Sequence, residues 1–236
     1  MPAPAPAPIR RRFSPFALAL ALALAGPAAF AQDGGDIDKV NGGITAEAGK
    51  AYGSLNTVNG GITLEDGARA DDAETVNGSI HAGNDITAGS LSTVNGNIRV
   101  GTGARVDGGI ETVNGSIFVD RRGHIAKGVE TVNGAIGLVA TELGGSVETS
   151  NGDITVGVGS HVRGDVRVKK PSSNWLPINL GSKHKPRIII GPNAVVEGAL
   201  VFEREVTLYV HKSARIGQVT GATPVPYDTA RAPQSE

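Results

Sequence analysis

A five-residue phrase, Val-Asn-Gly-x-Ile, returns along the chain at a nearly constant interval, and that interval limits the fold more than any other feature. Val40-Asn41-Gly42-Gly43-Ile44 is followed by copies built on Asn59, Asn77, Asn95, Asn114 and Asn133. A last copy, Ser150-Asn151-Gly152-Asp153-Ile154, has Ser in place of Val. The asparagines stand 18, 18, 18, 19, 19 and 18 residues apart. A fixed short period is the mark of stacked supersecondary units, none of which can bury its apolar face alone.

The interior of each unit gives its shape. Counting from the Ile, apolar or small residues fall at +2, +6, +8 and +11. Ile80 is followed in this way by Ala82, Ile86, Ala88 and Leu91. In the 19-residue unit that starts at Ile98 the last of them moves to +12, at Ile110, which places the extra residue in a bend after +8. Alternation within short runs is the strand signature, and the breaks between runs mark corners. The reading is an all-β, single-stranded parallel β-helix: a solenoid with three short strands per 18–19-residue coil. Like residues then lie about 4.8 Å apart, Ile over Ile and Val over Val in the core. Asn41, Asn59, Asn77, Asn95, Asn114, Asn133 and Asn151 are expected to form an amide ladder up one corner. The Gly after each Asn is expected to supply positive φ.

Composition agrees with this reading. The 34 glycines follow no Gly-X-Y period, which excludes collagen, and aromatics are only 4% of residues, so the core is aliphatic. There is no Cys, hence no disulfide and no thiolate metal site.

Residues 1–31 read as a signal peptide cleaved after Ala31. Arg10, Arg11 and Arg12 precede the apolar run Phe16 to Leu24, and Ala29-Phe30-Ala31 supplies the small residues a signal peptidase accepts. The chain is thus expected to be exported, to the periplasm or the cell surface, with no transmembrane segment after cleavage. Residues 32–222 form the β-helix, with a loop insertion at 169–186. Residues 223–236, rich in Pro and Ala, read as a disordered tail. From Asp33 to Ser160 there are 17 acidic and 8 basic side chains; from His161 onward there are 6 and 11. An acidic front and a basic rear do not suit a nucleic-acid reader, and they favour end-to-end self-association.

The search for chemistry is short. His81, His124, His161, His184 and His211 fall in different coils without ligand spacing, so no metal is expected. No phosphate loop, nucleophile elbow or dinucleotide fingerprint occurs, and neither an enzyme nor a cofactor is expected. The insertion is the one irregular element. Trp175, with Lys169, Lys170, Lys183, His184 and Lys185 around it, is a candidate loop for a cell-wall or surface polysaccharide. The alternative is that Trp175 packs on the coil stack with the lysines reaching outward.

The Val-Asn-Gly-x-Ile coils, with Ile188-Ile189-Ile190-Gly191-Pro192-Asn193-Ala194-Val195-Val196-Glu197-Gly198, resemble two bacterial groups. These are the polymer-forming bactofilins and the adhesin-like β-repeat proteins of the envelope. The resemblance covers nearly all of residues 38–219. It implies a right-handed three-faced helix and a structural role through self-association or surface contacts. The signal peptide departs from the cytoplasmic bactofilins and favours the envelope.

Overall fold

In a computed structural model, which describes residues 34–170 and 185–233, the chain winds as a parallel β-solenoid. Every strand pairing is parallel, and one sheet has ten strands, one for each turn. Each coil has three faces. The first begins at the motif Ile, as in Ile44–Ala46 and Ile62–Leu64, and forms the ten-stranded sheet. The second is a pair of residues such as Arg105–Val106 or His124–Ile125, and the third carries the motif, as in Ile110–Asn114. The strands Arg69–Asn77 and Thr87–Asn95 run through both the second and the third face, which joins these into one 16-stranded sheet.

Coil length explains where those long strands break. From Ile98 onward the 19-residue coils place Asp107-Gly108-Gly109 between the second and third faces, as the spacing predicts, and the strand splits there. The next coil returns to 18 residues in a different way. Its first corner is shortened, and Ala140 takes a left-handed φ of 42°.

The core is a set of columns. Ile62, Ile80, Ile98, Ile117, Ile136, Ile154 and Ile188 stack in register, each no more than 1% exposed. Burial of such a side chain is worth about 1.5–3 kcal/mol. The motif Val departs from the expected pattern. It faces outward, and the Thr before it enters the core instead. Thr57, Thr75, Thr93, Thr112 and Thr131 are 1–4% exposed. Their hydroxyls donate to the carbonyls of Gly42, Gly60, Gly78, Gly96 and Gly115, the motif glycines one coil back, at 2.8–3.0 Å. A buried hydroxyl with a partner avoids the desolvation cost of an orphan, and its methyl packs like that of Val.

Gly42 takes the expected positive φ, 101°, but most of the motif glycines differ from expectation. Gly60, Gly78, Gly96, Gly115 and Gly152 do not appear among the left-handed residues. They are glycine because the coils touch there: a Cβ at any of them would lie 1.7–2.2 Å from the carbonyl oxygen of the motif glycine one coil earlier. The left-handed turn sits at the next corner, five residues after the Ile. Gly49, Gly67, Asp85, Gly103, Arg122, Gly159 and Asn193 occupy it with φ between 53° and 73°.

The expected disordered tail is corrected in part. Pro224–Tyr227 forms the last strand of the ten-stranded sheet, paired with Thr207–His211. Tyr227 is 6% exposed, meets His211 edge to face at 5.0 Å, and its hydroxyl donates to the carbonyl of Ile190 at 3.3 Å. Proline is compatible with an edge strand, so a Pro-rich composition did not preclude one. The signal segment lies outside the described residues. Among the described residues no helix is long and apolar enough to cross a membrane.

Candidate functional site

The third face is the most regular surface of the molecule, because parallel in-register pairing carries each outward residue into a column. At its corner the seven asparagines form the expected ladder. Asn59 Nδ2 donates to Asn41 Oδ1 at 3.1 Å, and Asn77 to Asn59 at the same distance. Asn95, Asn114, Asn133 and Asn151 continue at 2.9–3.0 Å. Every bond runs in one sense, each Nδ2 giving to the coil before it. The last acceptor, Asn151 Oδ1, is taken by the Arg204 guanidinium, which also donates to the carbonyl of Ser150 at 3.0 Å.

Beside the ladder runs a ridge of outward valines, Val40, Val58, Val76, Val94, Val113 and Val132. Val40, in the first coil, is 45% exposed. Beyond the ridge lies a polar column in which Asp38, Asn56, Glu74, Ser92, Glu111, Glu130 and Glu148 follow one another in register. Like charges at the inter-strand spacing repel. Partial burial, with Asp72 and Glu111 adding repulsion, pushes the Glu74 carboxyl above its ordinary range. Glu130 is also raised, first by burial and then by Glu148 and Glu111, against the pull of Lys169.

Lys169, one of the candidate loop residues, reaches this column from the line of the ridge. Its ammonium pairs with Glu148 and lies 3.4 Å from Glu130 Oε1. Burial works against its charge, but the two carboxylates win and its pKa is raised. Arg167 closes the column on Asp165 and stands 3.9 Å from Glu148. The Lys170 backbone N–H donates to Glu203 at 3.0 Å, and Lys185 is exposed. Trp175, Lys183 and His184 lie outside the described residues.

The described histidines His81, His124, His161 and His211 lie in different coils. His161 pairs with Glu197 at 2.7 Å and His124 with Glu142 at 3.4 Å. Among the described residues no three His, Asp or Glu side chains converge as metal ligands would. On the first face Arg99 stands over the Phe118 ring at 5.1 Å and Arg187 over Tyr209 at 5.3 Å.

The two ends of the described solenoid carry groups that do not continue a coil. In the first coil Lys39 sits in the inward column occupied below by Thr57, Thr75 and Thr93. At the other end the Lys212 N–H donates to the Tyr227 carbonyl at 2.9 Å. By strand alternation the backbone groups of Val225 also point to that neighbouring strand, so the open edge belongs to Pro224 and Pro226. Neither has an N–H to offer. A charged inward residue and edge prolines are the devices by which natural sheets resist edge-to-edge addition.

Sequence reasoning placed the Asn ladder correctly and missed the valine ridge and the carboxylate column. The signal was present as Thr-Val before five of the seven Asn and as Glu at 74, 111, 130 and 148. No protein-family model matches this chain, and neither a curated protein nor a solved structure is similar to it. The class is therefore the one its own fold defines, a parallel β-solenoid with a ladder-lined face.

Proposed function

We propose that the chain is a non-enzymatic structural or assembly protein of the bacterial cell envelope, exported by residues 1–31 and acting through self-association. The observation that carries this reading is the in-register repetition of the third face, with Asn in seven coils, Val beside it in six, and a carboxylate beyond it in five. A periodic surface suits a partner that is itself extended and periodic, whereas a reaction site concentrates its groups at one place. Sedimentation of the purified protein over a hundredfold concentration range tests the proposal, with oligomers expected at the upper end. A single monomeric species throughout would remove it. Fractionation of the cell tests the location, with the protein expected outside the cytoplasm and shortened by residues 1–31.

A second reading, binding of a surface polysaccharide, draws on the first face, where two arginine–aromatic pairs stand outward. Apolar rings with adjacent donors are suited to sugar faces. Retention on cell-wall glycan that survives loss of both rings, in Phe118→Ala with Tyr209→Ala, would dispose of it.

A further inference from the structure

We infer that the third face is a lateral interface between two copies of this chain, laid side by side in the same direction about a two-fold axis parallel to the solenoid axis. The inference rests on the self-association reading and adds to it which surface meets which.

Three observations support a second copy as the occupant. The first is period. The face repeats at the coil spacing, about 4.8 Å, and an object that keeps that spacing over seven coils is another solenoid of the same kind. The second is complementarity. An axis of this orientation, placed on the valine ridge, sets ridge against ridge and brings the carboxylate column of each copy opposite the Asn ladder of the other. A carboxamide has two N–H donors, and the ladder uses one of them per residue. The second is left to donate to Glu111 or Glu130 across the interface. A copy laid in the reverse direction about an axis across the face would instead set carboxylate against carboxylate, which the charges oppose. The third is area. Five residues of strand by seven coils is a surface of about 16 Å by about 34 Å, or roughly 540 Å² per copy and about 1,100 Å² in total. That lies at the lower bound for a specific, stable interface.

The ends favour the same outcome. Lys39 in the inward column and the prolines of the last strand oppose continuation of one solenoid into the next.

The chain has no cysteine, so single cysteines on the ridge report on it directly. Val58→Cys and Val113→Cys stand three coils apart. A short bismaleimide matched to the ~10 Å separation of packed sheets should cross-link each variant to itself. Thr155→Cys, outward on the first face, should not cross-link. Val94→Glu should keep its β circular dichroism and lower the association constant at least tenfold. Cross-links found only in the mixture of Val58→Cys with Val113→Cys would overturn the parallel arrangement. Oligomers in sedimentation without any ridge cross-link would overturn the interface and leave the self-association reading standing. A monomer at all concentrations would overturn both.

Discussion

At the scale of single residues, glycine serves two separable purposes in this chain, and they predict different costs. Gly67 is left-handed, with φ of +72°, and an added Cβ would meet nothing closer than 3.7 Å. Gly67→Ala should therefore cost only the backbone penalty, about 1–2 kcal/mol. Asp85 and Arg122 already occupy the same position in other coils. Gly96 is limited by contact instead, with the Gly78 carbonyl oxygen 1.9 Å from an added Cβ. Both atoms belong to backbones fixed by ladders on either side, so Gly96→Ala must push two coils apart, at about 3 kcal/mol or more. Denaturant titration of the two variants checks this; equal losses would mean that the coil-to-coil contact is not what selects glycine. The expectation that the motif glycine supplies positive φ was reasonable from the Asn-Gly pair alone. The reason it is wrong at most coils is that the constraint comes from the coil before, which a local reading does not contain.

At the scale of elements, the strands and corners were legible because apolar spacing reports them directly. Ile86, Ala88 and Leu91 mark the second face and the start of the third, and all three are buried. The inward member of Thr-Val was not legible, since an apolarity rule selects Val. The choice is reversed because the motif Gly carbonyl one coil back accepts the threonine hydroxyl. The last strand was hidden by its prolines, which read as a breaker when the sheet edge is not known. Those prolines lead to a prediction about ends. Pro224→Thr with Pro226→Thr restores two N–H groups to the open edge, and Lys39→Thr removes the charge from the inward column. The triple variant should stack end to end and scatter light at concentrations where the parent does not. Particles of unchanged length in electron micrographs would show that something else blocks the ends.

At the scale of the whole molecule, each coil contacts its neighbours and little else, so length is an adjustable quantity. Removal of residues 78–95 takes out one complete 18-residue period and joins Asn77 to Gly96, which restores the motif. The shortened protein should fold, with β circular dichroism per residue like that of the parent and a cooperative thermal transition. Removal of residues 78–86 alone takes half a period, faces core residues to water, and should leave the chain unfolded. If both deletions behaved alike, coil independence would be wrong. The candidate surface was partly legible at this scale. The Asn column follows from the period, but a face is recognised only when three columns are seen side by side. Arg204 adds a rule about growth. Each asparagine after Asn41 both gives and receives, whereas a guanidinium can only give. New coils duplicated ahead of Asn151 would inherit a continuous chain of amides and the same terminator, but coils added behind it would find the final acceptor already claimed. The protein can lengthen from its front while keeping its last bond, so the history of its size should be written in the motif-bearing coils and not in those that follow.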